Sequence, residues 1–409
     1  MTTSDHRHER TERLTRVGPG TPMGEYQRRF WHPVAALVDL DTWPIKKVRL
    51  LGEDFALFRT ESGKLGLVTD RCPHRGASLS CGMTDGDGIR CAYHGWKYEA
   101  DGQCVDTPAE PAGSRLKERI SIAGHPVEVM GGLIWAYIGP QPAPLLPRYE
   151  HLVIDGWNRS TGVSHLPCNW LQVAENTLDS LHVEYLHMKF TNWARAQRGE
   201  SPIPVRRHAR VAYEAFEYGI VKKRMWEGDT EDSQEWQIGH PLVFPSTLLV
   251  PYHAGWVQFQ FRVPVDDTNT IVYWYDVKQC AEGETPNPVV PIWDNPWQTA
   301  DGKYMPEKIN PQDMMVWISQ GPITDHAVEH LGESDRGVSM YRRMLLEDLE
   351  RVERGEDPRG VIRDVAKNTP FIELPVEKDV GYSLAGAAAS AMYAFPERDG
   401  TEIPLITAP

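Results

Sequence analysis

The sequence has no apolar run long enough to cross a bilayer as a helix, which takes about 20 residues. Its best stretches, Met130–Ile138 and Tyr382–Phe395, are shorter, and the second is mostly Ala, Gly and Ser. It also lacks a basic excess. With 43 Lys and Arg against 57 Asp and Glu, a net charge of −14, it offers no footprint for nucleic acid or anionic lipid. The acidity reads first as solubility. Cysteine is scarce, six in 409 residues, which excludes a disulfide framework. Cys81, Cys104, Cys168 and Cys280 have no paired spacing and are expected to be small packed residues. No G-x-G-x-x-G turn in a βαβ context marks a flavin or nicotinamide site. The first residues are polar throughout, unlike a secretory signal, and Arg28-Arg29-Phe30 leads into Trp31-His32-Pro33 instead of an apolar stretch. The expectation is a cytoplasmic protein that binds neither nucleic acid nor membrane.

What is present is a globular composition, 41% hydrophobic and 10% aromatic, in two textures. Short β-type runs at Val48–Leu50, Phe55–Phe58 and Leu65–Val68 are separated by turn residues. Asp101-Gly102 marks a hairpin, and Leu133–Ile138 reads as a buried strand. A Pro-rich stretch from Gly139 to Glu150 follows. Beyond it, Asn169 to about His187 has helical periodicity, Val205–Val277 alternates like strands, and Gln279 to about Asn310 reads as irregular. Tyr341–Val352 is an amphipathic helix stopped at Gly355. The expected class is α+β: an N-terminal segment 1–44, a small all-β domain 45–147, and a second domain 148–409 with helices around an antiparallel sheet.

Two constellations carry chemistry. Cys72-Pro73-His74 is followed, after sixteen intervening residues, by Cys91-Ala92-Tyr93-His94. Each pair sets a thiolate and an imidazole on one tight loop, and a hairpin between them lets the loops face each other. A Rieske [2Fe–2S] cluster needs that asymmetry, two thiolates on one iron and two imidazoles on the other. Gly76 and Gly95 suit loops whose amides approach the cluster. A structural Cys2His2 zinc site is the alternative, although zinc spacings generally pair Cys with Cys and His with His.

The second constellation is Asp179, His182 and His187. Two histidines and a carboxylate on one face of a ferrous ion leave positions open for dioxygen. Five residues apart on a regular helix, His182 and His187 would diverge by about 140°. To share a metal, their helix must contain a π-type turn or end between them. Asp179, three residues before His182, can accept the other ring proton of a ligating histidine.

Arg71-Cys72-Pro73-His74-Arg75-Gly76 and Arg90-Cys91-Ala92-Tyr93-His94-Gly95-Trp96 resemble the Rieske loops of aromatic-ring-hydroxylating oxygenases. Ala77 and Tyr93 stand where the cytochrome-complex Rieske proteins place a further cysteine. The order Asp-x2-His-x4-His after a Rieske domain is similar to the catalytic domain of the same family, with its helix-grip fold. The resemblance implies an inter-subunit electron bridge at Asp179, hence a homotrimer or stacked hexamer, and a third iron ligand at Asp313. Asp325, Glu329 and Asp335 compete for that place, though 325–335 also reads as a solvated, capped helix and turn.

Gln320–His326 and Arg336–Arg343 resemble the phthalate 4,5-dioxygenase group, which often has Arg where this chain has His326. Trp236–Pro245 looks closer to aryl-ether O-demethylases of the 5,5′-dehydrodivanillate type. The implied activity is oxidation of a methoxy- or carboxy-aromatic with dioxygen and electrons from an NAD(P)H-dependent reductase, with or without a ferredoxin. Insertion at a methoxy group gives a phenol and formaldehyde; ring cis-dihydroxylation is the alternative, and a pure electron carrier or zinc-binding module the remote one. Lys222, Lys223 and Arg224 read as an exposed basic edge strand, with a substrate carboxylate as alternative partner. Trp236, His240 and Phe244 are pocket candidates by sequence proximity.

Overall fold

Turn residues recur every few positions in the first third of the chain, so its strands are short. The computed structural model describes residues 3–377 apart from Ala254 and Glu307, and the Tyr382–Phe395 stretch lies outside the described residues. Ile45–Leu50, Glu53–Arg59, Leu65–Thr69 and Gly124–His125 form one antiparallel sheet in that order. Met83–Asp85, Gly88–Arg90, Lys97–Glu99 and Cys104–Asp106 form a second. The hairpin expected at Asp101-Gly102 joins Lys97–Glu99 to Cys104–Asp106. Gly102 adopts φ 88°, and a Cβ there would lie 1.9 Å from the Ile122 carbonyl oxygen. Both sheets close on a small core of Ala56, Phe58, Val68, Leu79, Ile89, Trp96 and Tyr98 that includes Cys72 and Cys91.

The larger unit is an eight-stranded sheet in the order His208–Phe216, Gly219–Trp226, His240–Val243, Thr247–His253, Trp256–Asp266, Asn269–Gln279, Trp157–Leu166 and Ile292–Asp294. All neighbours are antiparallel except the last pair. Ile292–Asp294 lies in the stretch expected to be irregular, and its parallel pairing to 161–163 adds an edge strand there. The helix read at Tyr341–Val352 runs from Arg336 to Glu353. It buries Val338, Tyr341, Leu345, Leu349 and Val352 on one stripe and stops before Gly355, at φ 79°. With helices packed on an antiparallel-rich sheet, the fold class is α+β.

The N-terminal segment contributes a strand to a third small sheet. His32–Ala36 pairs with Leu133–Ala136, which pairs in turn with Val127–Met130. Trp135 of this small sheet meets Phe261 of the large one edge-on, 5.0 Å between centroids. Cys104 and Cys168 are buried as expected, whereas Cys81 is exposed and Cys280 half-buried. No helix among the described residues is long and apolar enough to cross a membrane.

Candidate metal centres

The segment expected as one helix is broken twice. Trp170–Glu175 is α-helical and Asn176–Leu178 tightens to a 3-10 turn. The backbone then extends at Asp179, φ −94° and ψ 112°, before Val183–Phe190 winds as a π-helix that continues into an α-helix at Thr191–Gln197. A π-helix bonds i to i+5. His187 therefore comes round beneath His182, with ring centroids 5.1 Å apart and planes at 80°. Of the two arrangements the spacing allowed, a π-type turn or a helix end between the histidines, the π-helix is the one formed.

Asp313 enters from the helix Ile309–Ser319. Its Oδ1 lies 3.2 Å from His187 Nε2 and 3.9 Å from His182 Nε2, and one donor atom of each residue falls within 4.8 Å of the others. Asp313 and His187 are buried, yet Asp313 Oδ1 has no hydrogen-bond partner. A buried carboxylate oxygen left that way is costly unless a cation meets it. Two imidazoles and one carboxylate, with no thiolate, suit a ferrous ion with open positions.

Neighbouring groups fix these donors. Gln312 donates through Nε2 to the Pro306 carbonyl at 2.5 Å and to Thr191 Oγ1 at 2.7 Å, which orients its amide. Its Oε1 then accepts from His187 Nδ1–H at 2.9 Å, leaving Nε2 as the lone-pair nitrogen. Asp179 Oδ1 accepts from the Leu181 amide at 2.9 Å, while Oδ2 lies 3.5 Å from His182 Nδ1. Burial alone would raise the Asp179 carboxyl; the His182 imidazole and the Leu181 amide outweigh it and hold it at about 2.

The competing acids are engaged elsewhere. Glu329 and Glu175 both bind Arg342, with His326 beside them. Asp325 accepts from the Ala327 amide and Asp335 from the Gly332 amide.

The two Cys-His loops are near copies of each other. The Gly76 amide donates to the Cys72 carbonyl at 2.8 Å and the Gly95 amide to the Cys91 carbonyl at 3.0 Å. The two glycines sit at φ 74° and 73°, a conformation open to glycine at little cost. Cys72 and Cys91 are buried, Tyr98 Oη lies 3.3 Å from Cys72 Sγ, and His74 is exposed. The His74 and His94 rings are 4.4 Å apart, and His74 stacks on Trp96 at 4.5 Å. Two buried thiols beside an exposed and a half-buried imidazole give the two-Cys, two-His donor set of a Rieske cluster.

The expected basic edge is not what the fold makes. Gly219–Trp226 lies between two strands, and Lys222 and Arg224 are buried; only Lys223 faces outward, paired with Glu214. Of the pocket candidates, Phe244 belongs to the main core and Trp236 lies under Arg210. His240 is buried, donating from Nδ1 to Glu377 at 3.0 Å. Gln312 had no signal in the sequence, because its role depends on a tertiary contact.

Residues 30–126 match the Rieske [2Fe-2S] domain family, and residues 298–375 match the family described as LigXa C-terminal domain like. The 5,5′-dehydrodivanillate O-demethylase oxygenase subunit of Sphingobium sp. (strain NBRC 103272 / SYK-6) is 40% identical over 90% of this chain and 86% of its own. The phenoxybenzoate dioxygenase subunit alpha of Ectopseudomonas oleovorans is 34% identical over 85% and 87%. The tert-butanol monooxygenase / tert-amyl alcohol desaturase oxygenase subunit of Aquincola tertiaricarbonis is 33% identical over 88% and 80%. Among solved structures, a single-residue variant of the carbazole 1,9a-dioxygenase oxygenase, in complex with its ferredoxin, shares the fold. Its TM-score is 0.60, at 19% identity over 89% of this chain and 98% of that one.

Proposed function

The chain belongs to the Rieske-type non-haem iron oxygenases as an oxygenase subunit, and from that premise we propose that it oxidises a methoxy- or carboxy-substituted aromatic, by O-demethylation or hydroxylation. The observation that carries this is the convergence of His182, His187 and Asp313 in a chain 40% identical to an aryl-ether O-demethylase subunit. Ring cis-dihydroxylation of a phthalate- or phenoxybenzoate-like acid is the second reading, favoured by the 34% relative.

In this reading Cys72, His74, Cys91 and His94 hold the [2Fe–2S] cluster, and His182, His187 and Asp313 hold the iron. The cluster supplies electrons singly and the iron supplies dioxygen activation. The chain's own part is positional. Gln312 keeps the proton on His187 Nδ1, and Asp179 anchors the turn that presents His182. Demethylation consumes dioxygen, two electrons and two protons, and releases a phenol, formaldehyde and water. An electron-donating reductase is therefore required, either directly or through a ferredoxin.

His74 and Tyr93 are exposed on the cluster loops, and Leu181 and Tyr185 are exposed in the segment after Asp179. Exposed groups at both sites suit a head-to-tail ring, a homotrimer or stacked hexamer in which Asp179 links His182 to the neighbour's cluster. We retain the division 1–44, 45–147 and 148–409, and a cytoplasmic setting. In His182→Ala holoprotein, formaldehyde or dihydrodiol formation should fall to background while the visible spectrum of the cluster is unchanged. Unaltered turnover in that variant would overturn the assignment.

A further inference from the structure

A lysine is the least expected residue in a protein interior, and Lys222 is 4% exposed. The buried arginines nearby all have partners. Arg224 lies 3.7 Å from Glu235 and against the Trp226 ring. Arg262 donates to Thr177, Gln260 and the Ala174 carbonyl, and Arg342 grips Glu175. Lys222 differs. Its charged neighbours are Arg224, Asp179, Arg262 and Glu377, and all act on it through space, none through a hydrogen bond.

The strand fixes where this ammonium looks. Side chains alternate, so Ile220, Lys222, Arg224 and Trp226 share a face, and Trp226 packs against Val183 and Met188 of the π-helix. That face is the one turned toward the metal-binding segment. Directly opposite Lys222 on the two flanking strands are Tyr213 and His240. Tyr213 Oη lies 3.3 Å from Ser180 Oγ, in the turn between Asp179 and His182, and the charge of Lys222 is felt at Asp179 and His187.

We infer that Lys222 is the specificity-determining residue that pairs with the carboxylate of an aromatic acid held beside the metal-binding segment. The inference rests on the aromatic-oxygenase reading and sharpens it. Family membership does not by itself imply an anion, since one relative at 33% identity is named for tert-butanol. A buried lysine that no side chain hydrogen-bonds does favour one. Its ammonium form is disfavoured by burial, and a carboxylate that enters with the substrate supplies the charge-assisted hydrogen bond it lacks. Burial, reinforced by Arg224, holds the Lys222 ammonium down at about 7, and a bound anion raises it again. In a chain of net charge −14, a local cation also favours the entry of an acidic substrate.

The test uses iron- and cluster-loaded protein with a reductant, and compares vanillate, 4-phenoxybenzoate and phthalate with their methyl esters. The wild type should prefer an acid over its ester. In Lys222→Gln the acid-to-ester ratio of kcat/KM should fall about 10- to 100-fold, and Lys222→Arg should recover part of it. Because acid and ester are compared in one preparation, incomplete folding or loading cancels from the ratio. A wild type that uses esters as well as acids overturns the inference, as does a Lys222→Gln ratio equal to wild type; in either case the aromatic-oxygenase reading stands. A loaded wild type that oxidises none of the six compounds defeats that reading, and this inference with it.

Discussion

A histidine presents one nitrogen to a metal only if something holds the proton on the other. For His187 that group is Gln312, whose amide is itself held by the Pro306 carbonyl and Thr191. Gln312→Leu keeps the bulk and removes the acceptor. Activity or iron affinity should fall about 10- to 100-fold with the cluster spectrum intact, read by iron content and turnover; wild-type values in both would show that the proton needs no holder. Metal-binding candidates were legible in the sequence because Cys72, His74, Cys91, His94, His182 and His187 sit at spacings few other structures require. Asp313 was reached only through a family likeness. Lys222 and Arg224 were misread because charged residues on a strand normally face water, and their burial depends on strands paired on both sides.

At the level of elements, the segment before the π-helix is anchored by a buried ion pair. Glu175, the last residue of its helix, accepts from Arg342 Nε at 2.5 Å and Nη2 at 2.7 Å, and Glu329 binds the same guanidinium. His326 lies 3.9 Å from Glu329 in a cluster that Arg342 already serves. Arg342→Met strands the Glu175 carboxylate and should cost about 3–5 kcal/mol, seen as a lower unfolding temperature. Adding Glu175→Gln should return much of the loss, and an unshifted transition in the single variant would refute the anchoring role. The five-residue interval between histidines called for a π-type turn or a helix end, since no regular helix serves it, and the π-helix is one of those two. The extended break at Asp179 was not, because helical periodicity continues across it in Leu178, Leu181 and Leu186.

For the whole molecule, local patterning separated the β-rich first domain from the α+β second. It gave no hint that His32–Ala36 would pair a hundred residues away with Leu133–Ala136, because strand partners leave no mark in a single sequence. One consequence follows from the exposed imidazole of His74, with His94 half-buried beside it. If electrons leave the cluster toward another chain, then cluster and iron need not be intact in the same polypeptide. A Cys72→Ser chain, without a cluster, and a His182→Ala chain, without catalytic iron, should each be inactive. Co-expressed in equal amounts, they should recover about a quarter of the wild-type rate in random rings, because that share of junctions joins an intact donor to an intact acceptor. Within a single chain, no such pairing exists, and the mixture would stay silent. The genetic unit of function would then be the junction, shared by two polypeptides.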